Sequence, residues 1–177
     1  MKVVTAAVIF FNIKYINKLV FNFGRFLLGK LSGMDRIIKE KISADHLLYV
    51  SLKYTKTSEV IENLILRWAV MIEHGIDRLL TQAKKKKMIK SIPTFPKPRL
   101  DLIRETFKNE KAVIDAVELY ELFRKIDQLS KESEGEFRKN VALKVSYRGQ
   151  VVRIDLEKLK EYSIILERFI NYLKQFL

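Results

Sequence analysis

Apolar residues recur along most of this chain at intervals of three and four. The clearest stretch spans residues 57–87, where Ile61, Leu64, Ile65, Trp68, Ile72, Ile76 and Leu79 fall within about 120° of one another on a helical wheel. That spacing predicts a long helix with one face on a core. Thr57 or Ser58 suits its cap, Glu59 and Glu62 suit the positive N-terminal end, and the lysines at 84–87 suit the negative C-terminal end.

Similar stripes place the other elements. Ile37, Ile38, Ile42, Leu47, Leu48, Val50 and Leu52 predict one helix or two short ones over residues 35–54, with an interruption at Ser43-Ala44-Asp45 as the alternative. A short connection at 54–58 makes the pair antiparallel. Pro93, Pro96 and Pro98 predict a loop over 91–97, because the residue before each proline is driven to an extended conformation. A short helix then covers 100–107, with Asp101 in its first turn. Asn109 caps another over 110–130, and residues 131–136 read as a polar loop. Val141, Leu143, Val145 and Tyr147 alternate with Ala142, Lys144 and Ser146; Arg148-Gly149 turns, and Val151 to Ile154 returns. This period of two predicts a β-hairpin over about 141–154. Asp155 caps a last helix whose stripe is Leu156, Leu159, Tyr162, Ile165, Leu166, Phe169, Ile170 and Leu173. The expected fold is mainly α, a bundle of about five or six helices with the hairpin before the C-terminal one.

Residues 1–33 stand apart. They are apolar, with Lys14, Lys18, Asn22 and Arg25 on one face of a helical wheel. The longest uncharged run, 3–13, is too short for a membrane span, and no cleavage site follows it. Three readings fit: an amphipathic helix on a membrane surface, a first helix packed on the domain, or upstream sequence translated before a true initiator at Met34. Residues 34–177 are expected to form a single helical domain, since their stripes, caps and turns agree without that segment.

Charge sharpens the picture. The net charge of +13 is concentrated: residues 1–33 carry +5 and residues 84–99 carry +7, neither with any acid, and the rest balances to +1. A near-neutral body with two basic appendages directs the search for an anionic partner to those appendages. In the second, Lys84, Lys85, Lys86, Lys87, Lys90, Lys97 and Arg99 are the candidate polyanion contacts. Four consecutive lysines on a helix point in different directions and serve sequence-independent attraction to phosphate. Only Phe95 lies near as a stacking platform, so base-specific recognition is not expected.

Catalytic signatures are sparse. The chain has no Cys, two His (His46 and His74), no Gly-rich phosphate loop and no His-Glu-x-x-His, so neither a cofactor nor zinc chemistry is expected. Freedom from cysteine fits a reducing, cytoplasmic setting, and the richness in Lys, Glu and Ile leans toward thermophiles and archaea. Glu73 and Asp77, four apart, could share a cation, although such pairs on a helix usually face water. Arg67 and His74 lie seven apart, almost two turns, with Asn63 and Arg78 extending the same polar strip.

The Arg67-x6-His74 spacing resembles the Arg-x4–6-His pattern of HEPN domains, small helical bundles several of which act as metal-independent RNases. The layout over 34–177 is similar to that family as well. The family motif usually sits late in the chain; residues 136–140, with Arg138 and Asn140, resemble its context, and no histidine follows them. The resemblance implies RNA cleavage by Arg67 and His74 with a possible homodimer. The residues themselves favour a non-enzymatic module binding RNA or another polyanion, or acting beside a protein partner. Peripheral membrane contact through residues 1–33 is a third expectation.

Overall fold

The structure, a computed structural model, describes Gly33–Leu177; the three readings of the N-terminal segment lie outside the described residues. Helix α1 (Gly33–His46) continues through a π-helical turn at Leu47–Ser51 into the short α2 (Leu52–Thr55), forming one rod. The alternative interruption at Ser43-Ala44-Asp45 is absent. Ala44 is fully buried, and Asp45 stays within the helix as the i+4 partner of Lys41. Ile42, expected in the core, is 63% exposed, since two residues from Ala44 is about 200° around the helix.

Helix α3 (Ser58–Lys85) is the element the other four helical segments and the sheet pack around. Every residue of its expected stripe is buried, and so are Ala69, Met71, Gly75, Leu80 and Ala83. The buried arc is wider than the stripe because α1 covers one flank, while α5 (Lys111–Phe123) and α6 (Leu156–Phe176) cover the other. Contacts fix the directions. Arg78 packs on Gly33 and Arg67 bonds Glu40, so α1 runs antiparallel to α3 as the short connection predicts. Gly75 lies against Phe169, and Gln82 Nε2 donates to the Leu177 carbonyl at 3.4 Å, so α6 runs parallel to α3. A Cβ at position 75 would sit 2.6 Å from two ring carbons of Phe169, and Gly75 therefore sets the approach of the two helices. Higher up, Trp68 stacks on Phe123 at 5.9 Å between centroids, and Phe123 meets Tyr162 edge-on at 5.3 Å.

Helix α4 (Pro96–Thr106) starts earlier than expected. Pro96 and Pro98 occupy its first turn, where no amide hydrogen is needed, so the prolines that argued for a loop also start the helix. Asp101 falls beyond the first turn and pairs with Arg104. Helix α5 begins with Glu110, not Asn109, as cap residue and ends at Phe123. A 3-10 turn at Ile126–Gln128 carries the buried Ile126.

The sheet has three antiparallel strands, β1 (Lys131–Glu134), β2 (Ala142–Tyr147) and β3 (Gln150–Ile154), in that order. The β2–β3 hairpin is the expected one. Tyr147 pairs with Gln150 across Arg148-Gly149, both with positive φ (51° and 77°), the two-residue turn that matches strand twist. β1 replaces the expected polar loop. Lys-Glu-Ser-Glu has no apolar member because it is an edge strand, with charged side chains guarding its free side. Asp155 caps α6, accepting from the Lys158 amide at 3.0 Å.

Candidate functional site

The basic segment begins where α3 ends. The Met88 amide donates to the Ala83 carbonyl at 2.9 Å and the Lys87 amide to the Lys84 carbonyl at 3.1 Å, the two bonds of a Schellman motif. Lys87 holds the left-handed position, φ 58°, that glycine usually fills. Only Lys84 and Lys85 are therefore on the helix; Lys86 and Lys87 leave it. All four side chains are exposed, as is Lys90.

Lys86 is held in place without an acidic partner. Its Nζ donates to the Phe176 carbonyl at 2.7 Å and lies 3.8 Å from the centroid of the Phe176 ring. That ring meets Phe107 edge-on at 5.2 Å and stacks on Tyr172 at 5.8 Å. The ends of α3, α4 and α6 thus gather at one end of the bundle. Lys108, beside Phe107, and Lys174, two residues before Phe176, come to the same end; both are exposed. Sequence reading missed them because they are isolated among acids and apolar residues, and only the aromatic cluster brings them to the basic segment.

The rest of the predicted set divides. Arg99 is ion-paired with Asp77 and so is not available to a polyanion without breaking that pair; the same pair occupies the carboxylate considered with Glu73 for a cation. Lys97 is exposed in the first turn of α4, nine residues and about 13 Å along the helix from Thr106. Among the described residues none of Lys84, Lys85, Lys86, Lys87, Lys90, Lys97, Lys108 and Lys174 forms an ion pair; elsewhere the bases divide, with Lys41, Arg67, Arg104, Lys131, Lys144, Arg148, Arg153 and Lys158 paired and others, such as Lys53, Lys139 and Lys160, not.

Between the turn after α3 and the last turn and a half of α4 lies an open groove of about 480 Å³, lined by Met88, Ile89, Lys90, Ser91, Leu102, Glu105 and Thr106. Its apolar surface comes from Met88, Ile89 and Leu102, with Lys90 and Glu105 as its charged members.

The Arg67–His74 strip sits elsewhere. Arg67 Nη1 donates to Glu40 Oε2 at 3.1 Å, and that carboxylate is only 9% exposed. Taking Arg67 for a phosphate would strand Glu40 in a buried position, at a cost of roughly 1–3 kcal/mol or more. His74 and Asn63 are half-buried along the same helix, and the Arg78 stem is packed against Gly33.

Residues 136–140 have a structural task. The Ser58 amide donates to Glu136 Oε1 at 3.0 Å, the Ser58 hydroxyl also reaches that oxygen, and Ser58 Oγ lies 2.6 Å from Ser133 Oγ. Burial raises the Glu136 pKa, but the bonds from Ser58 and Ser133 outweigh it and leave the carboxyl below its usual range. Among the described residues there is no cluster of three or more metal-ligating side chains, and no helix long and apolar enough to cross a membrane. Compared with family models, curated proteins and solved structures, the chain matches none.

Proposed function

We propose that the chain is a non-enzymatic binding module for RNA or another polyanion, acting through Lys84, Lys85, Lys86, Lys87 and Lys90 at one end of the bundle. Lys108 and Lys174 widen that surface. Lys97, with Phe95 beside it at 74% exposure, extends it along α4. The observation that carries the reading is the gathering itself: exposed lysines with no acid among them converge where the C-terminal ends of α3, α4 and α6 meet.

Helix-end complementation explains part of this charge, at about 0.3–1 kcal/mol per residue, and it fades beyond the last turn. It accounts well for Lys86, which binds a terminal carbonyl. It does not account for Lys90, which lies outside any helix, nor for a lysine at position 87. There a non-glycine residue costs roughly 1 kcal/mol in the left-handed region, a strain that a side chain with a binding role would justify.

The test is a titration of labelled RNAs across a salt series. A polyanion surface of this kind binds unrelated RNAs with similar affinity, and log K falls with log salt by about 0.7 for each phosphate neutralised on a single strand. Retention insensitive to salt would contradict the reading.

A further inference from the structure

The N-terminal end of α3, about 40 Å along that helix from its terminal lysines, carries a second gathering of bases that the reading above does not use. Here the turn after α2 meets the loop between β1 and β2, where the Phe137 amide donates to the Lys56 carbonyl at 2.8 Å. Lys53 and Tyr54 precede this junction on one side, and Arg138 and Lys139 follow it on the other. We infer that the corner is a stacking platform for single-stranded nucleic acid. Tyr54 and Phe137 take bases on their ring faces, and Lys53, Lys56, Arg138 and Lys139 draw in the phosphates. The inference rests on the polyanion reading above and narrows the partner to a polyanion that carries unpaired bases.

Tyr54 and Phe137 are each 75% exposed, so burial within the fold accounts for neither ring. Phe137 keeps its exposed position at φ 63°, and Lys56, its hydrogen-bond partner, sits at φ 49°. Glycine enters the left-handed region without the strain that a Cβ brings. The loop geometry therefore explains the angle at 137 but not the ring. Rings and bases are interleaved here, as they are not at residues 84–87: Lys53 Nζ lies 5.7 Å from the centroid of the Tyr54 ring, and Arg138 follows Phe137 directly. Across residues 53–59 and 136–140 four bases stand against two acids, of which Glu136 is engaged by Ser58. Rings set among cations suit a strand in which bases alternate with phosphates. A helix made to lie in a bilayer surface would instead collect its apolar residues on one face and its bases on the other. Stacking does not choose among bases, since every base has a flat face, so the platform agrees with similar affinity for unrelated RNAs. The linear sequence gives no sign of it, because Tyr54 and Phe137 belong to distant segments that meet only through the Lys56–Phe137 hydrogen bond.

Tyr54→Leu and Phe137→Leu test the inference, because they keep apolar bulk at exposed positions and remove only the rings. In anisotropy titrations of the full chain with a labelled single-stranded RNA, each is expected to weaken binding at least about fivefold, the lower part of what one stacked base contributes. The salt slope should stay unchanged, since no phosphate contact is lost. Tyr54→Phe and Phe137→Tyr should bind as wild type does. Inorganic polyphosphate, which has no bases, should bind wild type and both leucine variants alike. Unchanged RNA affinity in both leucine variants, with salt-sensitive binding intact, would overturn the platform and leave the polyanion surface standing. An equal loss for RNA and polyphosphate would also overturn the platform. Loss of binding to vesicles rich in phosphatidylserine, with RNA affinity kept, would overturn it in favour of a membrane surface. Absence of salt-sensitive RNA binding by the wild-type protein would overturn both readings.

Discussion

Glu136 Oε1 accepts the backbone N–H of Ser58 at 3.0 Å across 78 positions of sequence, so the start of α3 is capped by a carboxylate from the loop between β1 and β2. Thr57, the cap expected from the local pattern, has the extended conformation of a cap residue but makes no side-chain cap bond. The Phe137 amide, next in line, donates to the Lys56 carbonyl at 2.8 Å and fastens the loop to the same corner. The sheet and the central helix are thereby tied through the helix N-terminus, where negative charge is favoured.

Glu136→Ala should destabilise the fold by about 0.5–2 kcal/mol, the usual cost of removing a cap. Because the folded-state pKa of Glu136 is lowered, its contribution is present above the ordinary glutamate range and is lost as pH falls through the folded value. The gap in melting temperature between wild type and Glu136→Gln should therefore be widest near neutrality and close in acid. A gap independent of pH would contradict the role of the ionised carboxylate.

Gly75→Ala should also destabilise, despite alanine's advantage of about 1 kcal/mol in a helix. The added Cβ meets the fully buried Phe169 ring at 2.6 Å, and overpacking of this kind costs roughly 1–3 kcal/mol. Denaturant unfolding should show a lower midpoint, and a rise would mean that α6 yields easily.

Lys87→Gly should separate stability from binding. Relief of the left-handed φ should stabilise the end of α3 by up to about 1 kcal/mol, while removal of one exposed charge lowers RNA affinity and reduces the salt slope by about 0.7. Unchanged affinity would assign Lys87 no part in binding.

Arg67 and His74 are expected to fail as a catalytic pair. Arg67→Ala should lower stability by about 1–3 kcal/mol by leaving Glu40 without its partner. His74→Ala should leave RNA cleavage by the purified protein at background, as in wild type. Wild-type cleavage that persists in EDTA and falls about a hundredfold in His74→Ala, about 2.7 kcal/mol of barrier, would contradict this expectation and restore the RNase reading.

Elements with a buried stripe of their own were legible in the sequence. The seven positions expected to line α3 are all buried, and the β2–β3 hairpin announced itself by alternation and by Arg148-Gly149. What the sequence hid was set by partners distant in the chain. Lys-Glu-Ser-Glu carries no strand signal because β1 owes its conformation to pairing with β2 and buries little. The π turn at Leu47–Ser51 changes the helical period locally, which a fixed 100° wheel does not detect. In the candidate site the run of lysines was plain, but the pairing of Arg99 with Asp77 and the arrival of Lys108 and Lys174 required the tertiary structure.

Polyanion binding is tested by replacing Lys84, Lys85, Lys86 and Lys87 together with Gln and following binding to two unrelated RNAs from low to physiological salt. Circular dichroism serves as the control that the bundle is intact. The surface described above predicts that affinity falls by a similar factor for both RNAs and that the salt slope shrinks by about 0.7 for each phosphate no longer neutralised. An unchanged affinity and slope would contradict it, leaving these lysines as no more than complements to the ends of helices.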